Sequence, residues 1–368
     1  MSGGGDVHRL GLTIGDPGGI GPEIVLKAWQ MGKLEGARCV IYGSRELLDR
    51  ADARLANQGA NYHSMRQNFL SFNTIDEVDF EVIEARHVPI VEVAQQIEGL
   101  DLVRPGEPSA ASAWVQLRAL ERAIEDGKAG GIDAIVTAPW TKELFRLIDH
   151  PTTGHTEVLA NAFQAPHHVM MLAGPTLRVA LATVHVPIKE VSKKLTVERL
   201  DQTIRTTVTE LVRWFGVKKP RVAVCGLNPH AGEHGVMGKE EDLVIRPVVD
   251  ALQRELYGTA YITGPYAADT LFTRYRGVEP DEGPHDAVVC MYHDQGLIPL
   301  KLLHFGQAAN ITLGLPVLRT SVDHGTAYDI AAQGIADASS MRYAMELASE
   351  LLSREVASSE DVAGGSKS

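Results

Sequence analysis

A-V-V-C-M-Y-H-D-Q-G, residues 287–296, carries the pattern that decides the fold. Its first five residues are apolar and of strand length, and the charge and glycine that follow stop the run. The ionisable pair His293 and Asp294 then falls at the strand's carboxyl end. Similar short apolar runs, bounded by Gly, Pro or charge, occupy 10–14, 38–42, 134–137, 169–172, 179–182 and 222–225. Helical patterns lie between them. Ser109 precedes one through Trp114, Leu117, Leu120 and Ile124; Thr196 can cap another through Leu200, Ile204, Val208, Leu211 and Phe215, ended by Gly216. Strands alternating with helices predict an α/β fold with a largely parallel sheet covered on both faces. Such sheets place ligands at the carboxyl ends of their strands.

From that stretch to Thr326, Lys301, Asn310, Arg319, Asp323 and His324 interrupt apolar, glycine-bearing sequence. Ionisable groups buried without partners cost several kcal/mol each, so such a cluster reads as an active-site wall. The 368 residues are 44% hydrophobic, enough for two domains of ordinary size. A formal charge of -12 offers no basic patch and argues against nucleic acid as a partner. Cys39, Cys225 and Cys290 lie in or beside apolar runs and read as buried reduced thiols, which favours the cytoplasm. No apolar stretch approaches membrane-spanning length, so the expectation is a soluble protein with no membrane contact. The first five residues and 358–368 are Gly/Ser-rich and expected to be disordered. The polar stretch 57–79 reads as a surface excursion.

T-I-G-D-P-G-G-I-G-P-E-I, residues 13–24, follows the first strand. Its glycines permit a tight turn and Pro22 suits a first helical turn, but the spacing is not a dinucleotide fingerprint and Asp16 would repel phosphate. A ligand-contacting loop and a plain strand-to-helix turn with a structural Asp both remain open.

Three of the 14 histidines end or follow strand-like runs: His185 in L-A-T-V-H-V-P, His230 in C-G-L-N-P-H-A-G-E and His293 in C-M-Y-H-D-Q-G. Each alone reads more simply as a half-buried, hydrogen-bonded imidazole. Three matching contexts favour ligands to Zn²⁺ or a similar ion, with a coordination position left open. Asp269 in Y-A-A-D-T and Asp294 would complete the shell, act in proton transfer, or fix an imidazole tautomer. His234 and His324 read as surface or supporting residues. A second constellation suits an anion: Gly154, His155 and Thr156 in T-T-G-H-T-E, Lys142 in T-A-P-W-T-K, and Lys301, Asn310 and Arg319 in the wall. Lys142 reads equally well as a solvated surface charge.

From G-D-P-G-G-I-G-P-E through G-L-N-P-H-A-G-E, Y-H-D-Q-G and R-T-S-V-D-H-G-T-A, nearly the whole chain resembles the 4-hydroxythreonine-4-phosphate dehydrogenase family of vitamin B6 synthesis. The resemblance implies His185, His230 and His293 as metal ligands, and His155, Thr156, Lys301, Asn310 and Arg319 as substrate-binding residues. It implies an isocitrate/isopropylmalate dehydrogenase-like α/β/α architecture with the active site in the interdomain cleft. Residues 1–138 with 306–357 would form one domain; 139–305, with metal site and dimer interface, would form the other. It further implies a homodimer whose subunits both contact metal and substrate, and NAD or NADP bound around residues 310–326.

The activity so implied is metal-dependent oxidation of the 3-hydroxyl of 4-phosphooxy-L-threonine, then decarboxylation to 3-amino-2-oxopropyl phosphate. Zn²⁺ is the expected ion, with Mg²⁺ or Co²⁺ as alternatives. Lys301, Asp269 and Asp294 are the candidate catalytic residues, and Lys142 an added substrate contact. Two features depart from the family pattern: Trp140 in P-W-T-K, where P-V-H-K or P-I-N-K is common, and Gln307, where a charge is common. The alternative substrates are D-threonate and D-erythronate 4-phosphate, and retention of G-H-T-E argues against the dihydrodiol branch. From other classes, a metal-dependent hydrolase and a non-catalytic metal- or anion-binding protein also use such residues.

Overall fold

The apolar runs become strands because each is short, is flanked by a stop, and has hydrophobic neighbours on both faces. The computed structural model describes residues 7–58, 62–84, 86–150 and 154–364, with side chains through 355. Two compact units result, Met1–Ala165 with Leu315–Ser353, and Pro166–Gly314 with Arg354–Ser368.

β1 (His8–Thr13), β2 (Ala37–Gly43), β3 (Phe69–Phe72), β4 (Val88–Glu92) and β5 (Ala134–Thr137) belong to the first unit. β6 (Val169–Ala173), β7 (Arg178–Leu181), β8 (Arg221–Cys225), β9 (Tyr261–Tyr266), β10 (Ala287–Cys290) and β11 (Ala309–Leu313) belong to the second, and β12 (Leu318–Ser321) returns to the first. The first unit's sheet runs β3-β4-β2-β1-β5-β12, every pair parallel. Thr13 aligns with Tyr42 and Thr137, and Thr137 with Ser321, so four strands finish level. The second runs β11-β6-β7-β10-β8-β9, with β6 antiparallel to both neighbours and the other pairs parallel. There Cys290 aligns with Leu181 and Val289 with Val224. Level strand ends are what let side chains from distant sequence meet.

Ser109 caps the helix Ala110–Lys128 through Ser112 N, and Thr196 caps Val197–Arg213 through Arg199 N, as the sequence predicts. The first of these helices packs on β1, β2 and β5; the second packs on β6, β7, β10 and β11. Cys225 and Cys290 are buried free thiols with sulfurs 4.0 Å apart. Cys39 is free and half-buried, its thiol pushed up to about 12 by desolvation. Among the described residues no helix is long and apolar enough to cross a membrane.

Four expectations change. The first seam lies after Ala165 rather than 138, because the helix His155–Ala162 buries Leu159 among Tyr42, Leu120 and Ile135. The second lies after Gly314 rather than 305, because β11 pairs with β6 along its length. Stretch 57–79 is not a plain excursion: it holds the edge strand β3, and buried Asp52 ties its entrance down by accepting from Tyr62 Oη (2.7 Å) and Met65 N (2.8 Å). The final helix, Ser339–Gly364, continues through 358–364, where disorder was expected. Residues 1–5 and 365–368 lie outside the described residues.

Candidate active site

The second unit gathers its chemistry at the exits of β7, β8 and β10. Ala182 N donates to Cys290 O (2.8 Å) and Thr183 Oγ1 to Met291 O (2.6 Å), which locks the β7 exit to the β10 exit. His185 and His293 therefore stand side by side, ring centroids 5.6 Å apart and planes at 41°. His293 Nδ1 is 2.7 Å from Asp294 Oδ1. A carboxylate there holds the proton on Nδ1 and leaves Nε2 as the lone-pair donor. Asp294 thus stands where it can fix a tautomer, one of the roles left open for it. Lys301 lies seven residues beyond Asp294 in the helix His293–His304, which puts both on one face.

His230 belongs to a different structure. Residues His230 to His234 all have positive φ, from 43° to 80°, with ψ between -11° and 56°. Four of them are not glycine, and each such residue in left-handed geometry costs roughly 1–2 kcal/mol. Such a turn persists only where its surroundings over-determine it. Glu241, buried, supplies that constraint: Oε1 accepts from Leu227 N and Asn228 N (both 2.7 Å), and Oε2 accepts from Asn228 Nδ2 (2.9 Å). Gln295 joins this loop to the β10 exit, donating to Gly226 O (2.6 Å) and accepting from Met291 N (2.7 Å). The turn also lies against the short helix Ala268–Leu271, which carries exposed Asp269. Sequence reasoning missed Glu241 and Gln295; their signals were the E-E pair after G-V-M-G-K and the Gln of Y-H-D-Q-G.

The donors suit a borderline divalent ion in kind, and His185 and His293 suit one in spacing, since imidazole nitrogens ligate zinc at about 2.0–2.1 Å. His230 is 64% exposed at its side chain, with Nδ1 3.9 Å from Glu233 Oε2. Among the described residues no set of three metal-ligating side chains comes together within one copy. Two of the expected ligands are thus paired, and the third is not brought to them.

The first unit holds the anion group. Arg319, 2% exposed in β12, donates from Nη2 to Thr137 Oγ1 (2.7 Å), and burial pushes its pKa down to about 10. It stays charged at neutral pH, a fixed buried cation of the kind that suits anion recognition. His155 opens the helix His155–Ala162, and its ring stacks on Trp140 at 3.9 Å and 13°. Burial, then the Arg319 charge, pushes its pKa well below the usual value, so the imidazole is neutral. Thr156 follows on the same first turn, whereas Lys142 is exposed at the start of the turn Lys142–Ile148, which fits the surface reading. Asn310, in the second unit, has a buried Oδ1 with no hydrogen-bond partner among the described residues. An orphaned buried acceptor of this kind is a natural ligand contact.

A family profile, described as the pyridoxal phosphate biosynthetic protein PdxA, matches residues 35–348. The chain belongs to the PdxA family. A 4-hydroxythreonine-4-phosphate dehydrogenase of Desulfosudis oleivorans is 42% identical over 340 residues, spanning 92% of this chain and 94% of the relative. The crystal structure of the Klebsiella pneumoniae 4-hydroxythreonine-4-phosphate dehydrogenase superposes with TM-score 0.79 at 36% identity, covering 94% of this chain and 99% of that one. A terephthalate 1,2-cis-dihydrodiol dehydrogenase from Burkholderia xenovorans is more distant, with TM-score 0.59, 28% identity, and 93% and 98% coverage.

Within this PdxA-family fold the glycine-rich turn carries structural contacts of its own. Asp16 is fully buried, accepts from Gly18 N (2.8 Å) and Tyr328 Oη (2.5 Å), and has its pKa raised by desolvation. A side chain at Gly19 would collide with Thr326, its Cβ falling 2.6 Å from that carbonyl oxygen, so the close approach is to the D-H-G-T-A segment. Thr141 Oγ1 donates to Thr326 Oγ1 (3.0 Å) and ties the same segment to the Trp140 loop. The stretch expected to bind cofactor, 310–326, is divided at Gly314 between the two units.

Proposed function

We propose that the chain oxidises the 3-hydroxyl of 4-phosphooxy-L-threonine with NAD or NADP, and that decarboxylation follows to give 3-amino-2-oxopropyl phosphate. The observation that carries this reading is the His185/His293 pair, with its tautomer set by Asp294, in a fold that also buries a fixed Arg319 cation. The names of relatives spanning more than nine-tenths of the chain favour the amino acid phosphate over a sugar-acid phosphate.

His185, His293 and His230 hold one divalent ion, Zn²⁺ or else Mg²⁺ or Co²⁺, and a second copy of the chain completes the donor set. When bound, the ion supplies Lewis acidity for the alcohol and for the carbonyl that replaces it, and the nicotinamide supplies the hydride acceptor. Lys301 takes the hydroxyl proton as hydride leaves for the nicotinamide and passes a proton to the enolate carbon left by loss of carbon dioxide, while orienting the carboxylate; Asp294 and Asp269 set the charge around it. Arg319, neutral His155, Thr156 and Asn310 grip the phosphate and other polar ends. The nicotinamide lies along 310–326. A homodimer is supported by the helix His293–His304 and its exit, which expose Ile298, Leu302 and Phe305 at 66%, 84% and 83%. The free thiols suit a cytoplasmic enzyme.

The test is a panel of 4-phosphooxy-L-threonine, D-threonate 4-phosphate and D-erythronate 4-phosphate with each nicotinamide, following absorbance and carbon dioxide release. The proposal expects the highest kcat/KM for the amino acid, with one carbon dioxide per reduced nicotinamide. Preference for a sugar acid, or turnover without either product, contradicts it.

A further inference from the structure

We infer that Glu241 is a positioning residue that sets the divalent-ion affinity of His230. This inference rests on the proposed role of His230 as a ligand and deepens it, because it assigns the device that presents the imidazole.

The turn bearing His230 is left-handed over five consecutive residues, and its own backbone bonds, Ala231 N to Asn228 O (3.1 Å) and Met237 N to Gly232 O (3.1 Å), close it without offsetting the strain of four non-glycine residues at positive φ. Its entrance is fixed by one carboxylate. Glu241 takes both amide hydrogens of Leu227 and Asn228 on Oε1 and the Asn228 side chain on Oε2. Asn228 is steadied a second time by Glu240, whose other oxygen accepts from Ser192 Oγ (2.6 Å). The far side of the turn presses on the same group: a Cβ at Gly232 would fall 2.5 Å from Glu241 Oε2. Glu241 itself begins the single π turn Glu241–Ile245, an irregularity that recurs at functional positions. Its carboxylate is 1% exposed, so its three donors are its solvation shell and neither side of the arrangement survives alone. A glutamine would keep the shape, but it would set an amide donor against the Asn228 donor.

Zn²⁺ affinity of the full-length protein, measured by chelator competition, tests this with Glu241→Gln and Gly232→Ala. Each is expected to weaken Zn²⁺ binding about 10- to 100-fold, the range for groups that orient a ligand. Turnover should recover to within a few-fold of wild type at saturating Zn²⁺, a rescue that general unfolding would not show. In metal-free protein, hydrogen exchange at Leu227 and Asn228 should speed up at least tenfold in Glu241→Gln. Wild-type Zn²⁺ affinity in folded Glu241→Gln, or loss that excess Zn²⁺ does not restore, overturns the inference. A wild-type chain that takes up no Zn²⁺ refutes the ligand role of His230 instead, and the exchange rates then still decide whether Glu241 holds the turn.

Discussion

The two units treat charge in opposite ways. In the first, Arg319 and His155 are enclosed by a sheet and an indole, with one held charged and the other neutral before any ligand arrives. In the second, His185, His230 and Asp269 stand exposed at strand exits, and the third imidazole is not assembled with the other two. A buried cation is expensive to create and cheap to use, because it no longer has to shed water when an anion binds. Exposed imidazoles cost nothing to fold and draw their order from what they bind. The anion half is pre-built; under the proposed function the metal half is completed by ion and partner.

Substitution of the candidate acid–base residue has the largest effect. Lys301→Ala should lower kcat about 10²- to 10⁴-fold, the contribution of a positioned acid–base group, while bound metal measured by elemental analysis stays unchanged. Equal loss of metal would move Lys301 into the ion's own support. Arg319→Met should raise KM for the phosphorylated substrate roughly 10- to 100-fold, since bonds to charged groups contribute about 1.5–3 kcal/mol, with little change in Zn²⁺ affinity. Calorimetry on both ligands separates the two halves.

A smaller effect tests whether the indole keeps His155 neutral. Because its folded pKa is depressed, the unfolded chain takes the proton first as pH falls through about 6.5. The stability this group contributes is therefore full above that pH and is lost as pH drops from there toward the folded value. The His155 Cε1 proton should show no titration near 6.5 in wild type by NMR, and Trp140→Ala should shift its midpoint upward. Smallest, Ser109→Ala should cost about 1 kcal/mol of stability by denaturant unfolding and leave both halves of the chemistry untouched, because it removes only a cap.

What the sequence made legible follows from how local each signal is. All seven apolar runs became strands, since a buried strand declares itself by its own composition. β3 stayed hidden because an edge strand of sequence F-L-S-F draws its order from pairing with β4 rather than from its own flanks. The seams moved because Leu159 and β11 each pack with residues far along the chain. At the site, His185, His293 and Arg319 were readable as polar groups in apolar contexts. Glu241 and Gln295 were not, since their partners are backbone groups that no motif names. The structural part of Asp16 emerged only once Tyr328 was seen to reach it.

The most direct test of the account is turnover of 4-phosphooxy-L-threonine by exhaustively chelated protein, before and after titration with Zn²⁺. The account predicts no nicotinamide reduction without the ion, recovery saturating at one Zn²⁺ per chain, and no recovery in His185→Ala. Undiminished turnover by the stripped protein would contradict it.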